Sequence, residues 1–209
     1  MTGAGAQPKR TTGHIGLPPP ILSRPLTVEA AIRARRSVRE FTPDAVTLEA
    51  LSQILWAAQG ITDPAGYRAA PSAGALYPLE ISLIAGNVES LATGIYRYDP
   101  HAHALDAGTP GDRRAALAGA ASSQGWIAEA AAVLVVAAAA ERTTVKYGTR
   151  GVRYVHIEAG HAAQNVYLQA AALGLGTTIV GAFDDDAVAA VAELARGETP
   201  LCLLPIGRP

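Results

Sequence analysis

The chain has 209 residues, of which 49% are hydrophobic, with 17 basic and 18 acidic side chains for a formal charge of −1. That length supports one large domain or two small ones with a substantial core, and the near-neutral balance argues against a general nucleic-acid binder, which carries surplus positive charge over a whole face. The charge is unevenly placed, however, because "IRARRSVRE" brings Arg33, Arg35, Arg36 and Arg39 within seven positions.

In chain order, residues 1–26 are rich in Gly, Thr and Pro, with Pro18, Pro19 and Pro20 in succession. They read as an extended arm that lies on another surface or stays disordered. Residues 27–209 read as a single domain. Thr27 has the chemistry of an N-cap, opening a helix through "VEAAIRARR" that ends near Ser37, since Pro43 bars its continuation. A second helix is expected over 47–61, where Leu48, Leu51, Ile54, Leu55 and Ala58 keep a 3.6-residue period, although Thr47 lacks a full capping box. "YPLEISLIAG" predicts a strand. Ile95, Tyr96 and Tyr98 lead into a turn at Asp99 and Pro100 and back out as a hairpin. "AAVLVVAAA" predicts a fully buried strand, and "VRYVHIEAGHAAQNVYLQAAALGLG" a long apolar helix closed by Gly174 and Gly176. "TTIVGAF" is a strand or a loop, "DDDAVAAVAELA" a short helix with an acidic start, and "PLCLLPIG" the last strand. Strands and helices mix without a βαβ rhythm, so the fold class is α+β.

Several chemistries find no support. No stretch has the apolar segment of a signal peptide, and the longest apolar run, 130–140, is about half a membrane span; a soluble protein of a reducing, cytoplasmic compartment is expected. Cys202, the single cysteine, sits in an apolar run and reads as an inert buried thiol. His156 and His161 lie about 140° apart around a helix, and His101 and His103 have no Cys or carboxylate companions nearby, so no metal site is expected. There is no G-x-S-x-G elbow, no phosphate loop, and no complete dinucleotide fingerprint.

The arginine cluster then stands out. Fifteen of the 17 basic residues are Arg, whose planar fork suits bidentate contact with phosphate. Genome composition explains the bias equally well, but not the clustering. Local carboxylates, a nucleic-acid backbone or a phosphorylated ligand could offset such charge; Arg35, Arg36, Arg39 and the Ser37 hydroxyl could together hold a phosphate, while a solvated helix end is the plainer reading. In "APSAGALYPLE", Ser72, Ala73 and Gly74 follow Pro71 and lead into a strand, so backbone amides could approach a flat ligand, or the segment is an ordinary tight loop. "VKYGTR" holds Lys146 beside Tyr147, either a proton-transfer pair or a surface lysine next to a packing tyrosine.

Taken in order, "RRSVREF", "PSAGALYPLE", "HIEAGHAAQNVYLQAAALGLGT", "VGAF" and "LPIGRP" resemble the nitroreductase superfamily of FMN oxidoreductases, and most closely its SagB-type (azoline dehydrogenase-like) branch. The resemblance runs from about residue 27 to the end. It implies a central mixed or antiparallel sheet flanked by helices in an intertwined homodimer, with FMN sites at the interface and the 159–173 helix in the dimer core. It implies that Arg35, Arg36 and Ser37 meet the phosphate and ribityl chain, that Arg39 approaches the pyrimidine ring, and that Arg208 returns to the phosphate. Pro71, Ser72 and Ala73 would come from the partner subunit, with Val180 and Gly181 at the isoalloxazine edge. Where many nitroreductases carry Asn and Gln after the Pro-Ser pair this chain has Gly74, Ala75 and Leu76, and Val180 replaces a common Glu, so a contact there would use backbone atoms. Lys146 and Tyr147 resemble a pair used by peptide azoline dehydrogenases and become candidate catalytic residues, with burial, or neighbours such as Arg150 and Arg153, needed to keep Lys146 neutral. The implied activity is hydride transfer through flavin N5 in a ping-pong cycle, with NAD(P)H or a small organic substrate. The alternatives are azoline oxidation in peptide tailoring and non-catalytic flavin binding.

Overall fold

The computed structural model describes residues 13–122 and 124–209; the first twelve residues of the expected arm lie outside the described residues. The elements are β1 (His14–Gly16), α1 (Val28–Ala34), α2 (Leu48–Gln59), β2 (Leu79–Ala85), β3 (Gly94–Asp99), β4 (Ala104–Pro110), α3 (Arg114–Ala120), β5 (Ala132–Ala138), α4 (Glu141–Tyr147), α5 (Arg150–Ala172), β6 (Gly176–Thr177), α6 (Asp185–Val191) and β7 (Thr199–Gly207). Short 3₁₀ turns occupy Ala73–Ala75 and Gly125–Glu129. The strands form one sheet in the order β1-β4-β3-β2-β5-β7-β6, and every pair of neighbouring strands is antiparallel. The α+β expectation holds, and the sheet is the antiparallel one of the two forms anticipated.

Both faces of the sheet are covered, which is why β5 is buried at all seven positions. Leu134 and Val136 point into a core shared with Leu51, Ile54 and Leu55 of α2 and Val155, Ala159 and Val166 of α5. Val133 and Val135 point the other way, against Leu117 of α3, Ile127 and Val188 of α6. Period-2 alternation therefore feeds two cores, with each fully buried Leu, Ile or Val worth about 1.5–3 kcal/mol. Cys202 lies in the first core at 3% exposure, where burial pushes its thiol up to about 12. The inert reading of that thiol holds.

Local chemistry explains the helix starts. The Thr27 and Thr47 hydroxyls each accept the amide three residues on, from Ala30 and Ala50, at 3.2 Å, so Thr47 caps without its box. Gly174, at φ 66°, follows the Leu173 cap of α5. Two expectations are refined and two helices are added. α1 stops at Ala34, leaving Arg35 as its C-cap and Arg36 outside it. The described part of the arm lies on its own chain: β1 pairs with β4, the Pro18 carbonyl accepts from the Ser52 hydroxyl at 2.6 Å, and Ile21 N–H donates to Gln53 at 2.8 Å. Finally, α3 and α4 were not anticipated; neither has a side-chain N-cap to announce it.

Candidate functional site

Once past α1, the chain runs beside β6. Ser37 pairs with Thr177, and Val38 N–H donates to the Thr177 carbonyl at 3.0 Å. This approach needs Gly176, because a Cβ there would lie 2.6 Å from Val38 Cγ1. Behind Ser37 stands Tyr167 of α5. Its hydroxyl donates to Thr178 Oγ1 at 3.2 Å and accepts from Ile179 N–H at 2.8 Å, which leaves the Ser37 hydroxyl, 3.3 Å away, as donor. The Arg35 guanidinium lies over the Tyr167 ring, 5.3 Å from its centroid. Burial alone would push the Tyr167 phenol up, but its hydrogen bonds with Ser37, Thr178 and Ile179 and the Arg35 charge outweigh it and hold it below its ordinary value.

Arg208 joins this corner because Gly207 pairs with Gly176. Its carbonyl accepts from Thr42 N–H at 2.9 Å and its Nε donates to the Ala45 carbonyl at 3.2 Å. Arg36 donates to the carbonyls of Arg33 and Arg35 at 2.9 and 2.7 Å. Arg36, Arg39 and Arg208 are exposed and Arg35 is half-buried. Among the described residues none of the four forms a salt bridge, so local carboxylates do not offset the cluster. Val180 and Gly181 follow directly on. Val180 is buried and its amide and carbonyl are both bonded to Leu203 at 2.9 Å, so its N–H is already committed within the sheet. Gly181 is exposed, and a side chain built there meets nothing within 4 Å.

A second corner forms around the 71–77 loop. Pro71 is exposed, Ser72 and Ala73 are half-buried, and the Ser72 oxygen accepts the Tyr77 amide at 2.9 Å. Gly74, Ala75 and Tyr77 all have left-handed φ, at 66°, 53° and 46°, which costs about 1–2 kcal/mol at each non-glycine position. Lys146 and Tyr147 face this loop from α4. A Cβ on Gly74 would lie 2.7 Å from the Tyr147 hydroxyl and 2.9 Å from Lys146 Nζ. They are held there because α4 ends at Gly148 and folds tightly onto α5, where a Cβ on Gly151 would be 2.9 Å from Thr144 Cα. Tyr147 stacks edge-on with Tyr154 at 5.2 Å. Lys146 is exposed within the single chain, as are Arg150 and Arg153.

Behind the loop lies Glu158 of α5, 2% exposed. Burial raises its carboxyl to about 7, against the pull of the nearby Ser72 side chain and the charge of Arg68. Arg68 donates to Gln59 Oε1 at 2.9 Å and lies 4.6 Å from the Tyr77 ring centroid. The structure thus groups Arg35, Arg36, Ser37, Arg39, Val180, Gly181 and Arg208 at one corner, and Pro71, Ser72, Ala73, Lys146 and Tyr147 at the other. Glu158 and Tyr167 mark them on α5, nine residues apart, which is about 13 Å along the axis and about 180° round it. They stand at opposite margins of the buried stripe.

A profile described as the Nitroreductase family matches residues 32–208. The chain belongs to the nitroreductase family. It is similar to a protein of Methanocaldococcus jannaschii named as a candidate nitroreductase, 47% identical over 183 residues, covering 88% of this chain and 91% of that one. The crystal structure of a candidate nitroreductase from Ralstonia eutropha JMP134 superposes with a TM-score of 0.81 at 28% identity, covering 98% and 95% of the two chains. A chain of the Escherichia coli microcin synthetase McbBCD complex, with truncated pro-MccB17 bound, gives 0.73 at 26% identity over 90% and 71%.

For a nitroreductase-family oxidoreductase, the corners differ in what they can do. One presents positive charge and small residues to a ligand, and the other presents titratable groups around a strained loop. Sequence reasoning missed Tyr167, Arg68 and Glu158. Glu158 was open to detection, since Val155 and Ala162 flank it at i−3 and i+4 and so place an acid on the apolar stripe. Tyr167 gave no such signal. Among the described residues no group of three or more His, Cys, Asp or Glu is arranged to hold a metal, and no helix is long and apolar enough to cross a membrane.

Proposed function

We propose that the chain is an FMN-dependent oxidoreductase that works as a homodimer, the arginine corner of one protomer and the 71–77 loop of the other enclosing each flavin. The observation that carries this reading is the set of arginines 35, 36, 39 and 208 beside Ser37, without a carboxylate partner among the described residues. Such a set fits a dianionic phosphate, which takes charge-assisted bonds from several donors. Arg35, Arg36, Ser37 and Arg208 would hold the phosphate and ribityl end, Arg39 would serve the pyrimidine ring, and exposed Gly181 would let a flat ring approach. Pro71, Ser72 and Ala73 supply the facing wall. When bound, FMN supplies hydride transfer at N5 in a ping-pong cycle between a donor such as NAD(P)H and an organic acceptor.

Two observations favour the dimer. The corners lie on opposite margins of α5, so one chain does not bring them together. Leu22, Val28 and Ile32 are 79%, 64% and 55% exposed, and Val152 and Ile157 are exposed on α5, an apolar surface that suits a partner. The test is stopped-flow absorbance of FMN-loaded protein: bleaching on mixing with NADPH or NADH supports the reading, and protein that takes up no FMN overturns it.

A second reading, azoline oxidation in the manner of the SagB-type branch, is favoured by the contact of Gly74 with Lys146 and Tyr147 and by the likeness to the microcin synthetase chain. Lys146 then accepts the substrate proton, with Tyr147 orienting it. Lys146→Ala and Tyr147→Phe leave FMN content unchanged and slow oxidation of an azoline substrate by about 10²–10⁴-fold. If both variants keep full turnover with every donor, the pair is structural.

A further inference from the structure

Ser37 has one hydroxyl proton and two claims on it. Its side chain is exposed at the arginine corner, where a docking phosphate calls for a donor. A hydroxyl carries one proton to give and two lone pairs to accept with. In the arrangement described above, that proton points back to the Tyr167 oxygen, 3.3 Å away. So committed, Ser37 turns only lone pairs outward, and those repel an anion. The side chains behind Ser37 show how its proton can be freed.

The Tyr167 oxygen has three neighbours of two kinds. Ile179 N–H can only donate, and its bond is firm at 2.8 Å. Ser37 and Thr178 are hydroxyls that can each donate or accept, at 3.3 and 3.2 Å. These two contacts are nearly equal, and both exceed the commonest O–H···O length of about 2.7–2.8 Å, so neither fixes a proton. Two directions are open. In one, Ser37 donates to Tyr167 and Tyr167 to Thr178, and the Thr178 proton finds no other acceptor among the described residues. In the other, Thr178 donates to Tyr167, Tyr167 donates to Ser37, and the Ser37 proton turns outward. The Tyr167 oxygen accepts the Ile179 amide in both. Neither direction needs the backbone to move, because Ser37 is bridged to Thr177 and Val38 N–H is bonded to the Thr177 carbonyl. Thr178 is 1% exposed, so solvent does not compete for its proton.

We propose that Ser37, Tyr167 and Thr178 form a hydroxyl relay whose direction reverses when a phosphate docks, with Tyr167 as the positioning residue that turns the Ser37 proton to the ligand. This rests on the reading that a phosphate docks at the arginine corner. Each hydroxyl keeps its own proton and rotates it, so no covalent bond changes. A phosphate favours the reversed direction because a hydrogen bond to an ionised acceptor is about twice as strong as a neutral one, and the bonds behind it in the chain polarise one another. The Arg35 guanidinium lies over the Tyr167 ring, 5.3 Å from its centroid, and depends on the ring rather than on the hydroxyl. Tyr167→Phe therefore removes the relay and keeps that contact.

The test follows the Tyr167 Cζ resonance by NMR in flavin-free protein titrated with inorganic phosphate, riboflavin or FMN, and measures the two flavin affinities alongside. In wild type, phosphate and FMN shift the resonance and riboflavin does not. In Thr178→Val the phenol can donate only to Ser37, so phosphate no longer shifts it, yet the ratio of FMN to riboflavin affinity is at least as high as in wild type. In Ser37→Ala that ratio falls by about 10-fold, what one hydrogen bond to a charged group contributes. In Tyr167→Phe, where Ser37 keeps its proton but loses the donor that turns it, the ratio falls less, and the double variant falls no further than Ser37→Ala. The three variants lie on different segments, so misfolding of one does not remove the test. A purely structural Tyr167 weakens both flavins alike and leaves the ratio unchanged in Tyr167→Phe. That result, a ratio that drops in Thr178→Val, or a wild-type resonance indifferent to phosphate overturns the proposal. A wild-type Tyr167 that responds to phosphate in a chain that takes up no FMN sinks the flavin reading and leaves the relay standing.

Discussion

The two corners of α5 handle charge in opposite ways. At the Tyr167 end the polar groups are neutral hydroxyls, those of Tyr167, Ser37 and Thr178 bonded to one another and to Ile179 N–H, and the positive charge faces outward. At the Glu158 end the acid itself is buried, one of its oxygens lacks a partner among the described residues, and Arg68 is half-buried nearby. The first arrangement keeps its fixed charge at the surface. The second is held against desolvation and changes state with pH. The difference lies in which side of the surface carries the charge: outward arginines suit the ligand capture proposed above, and an inward acid ties stability to pH.

The largest expected effect tests the outward charge. Arg35→Ala with Arg208→Ala removes two charge-assisted contacts, each worth about 1.5–3 kcal/mol, and FMN affinity measured by fluorescence quenching falls by about 10²–10⁴-fold. The melting temperature of the flavin-free protein moves little. An unchanged affinity would place the phosphate elsewhere.

The inward charge predicts a pH-dependent stability. The Glu158 carboxyl is raised from 4.5 to about 7 in the folded chain, so between those values the folded state binds more protons than the unfolded state, and stability falls as pH rises through that window. The full loss is roughly 3 kcal/mol at most. Glu158→Gln lacks the titration, so it gains on wild type between pH 5 and pH 8 in urea unfolding. Parallel profiles for the two proteins would contradict the account of the buried acid.

Much of this contrast was legible in the sequence, and the part that was not has physical causes. The apolar periodicity of 47–61 and the β-branched centre of 132–138 report burial directly, so α2 and β5 could be read. The arginine cluster is local in sequence and could be read too. Tyr167, in contrast, acts through Ser37 and Thr178, 130 and 11 residues away, and such pairings exist only once β6 has been laid beside the chain leaving α1. Lys146 and Tyr147 could be singled out as a pair, but their contact with Gly74 depends on the tight α4–α5 fold at Gly151, which no local pattern announces. The Val180 backbone looked available because the sequence does not reveal that Leu203 takes both of its polar groups.

Smaller effects sharpen the comparison. Tyr167→Phe leaves Ile179 N–H, Ser37 and Thr178 without a shared partner, and unfolding stability falls by about 1–3 kcal/mol; no loss would mean that the corner is not closed through the phenol. The smallest concerns Cys202, whose thiol is buried and raised to about 12. It stays unlabelled by a thiol reagent at pH 8 in the native chain and reacts only in denaturant. Rapid native labelling would mean that the sheet core opens.

The most direct measurement of the central claim is a calorimetric comparison of FMN and riboflavin binding to the same flavin-free protein. The two ligands differ only in the phosphate, so their affinity ratio reads what the arginine corner contributes. FMN is expected to bind about 10²-fold or more tightly than riboflavin, consistent with two or more charge-assisted contacts, and the ratio is expected to collapse toward one in the Arg35→Ala, Arg208→Ala variant. Equal affinities for FMN and riboflavin in the wild-type chain, or no binding of either, would contradict it.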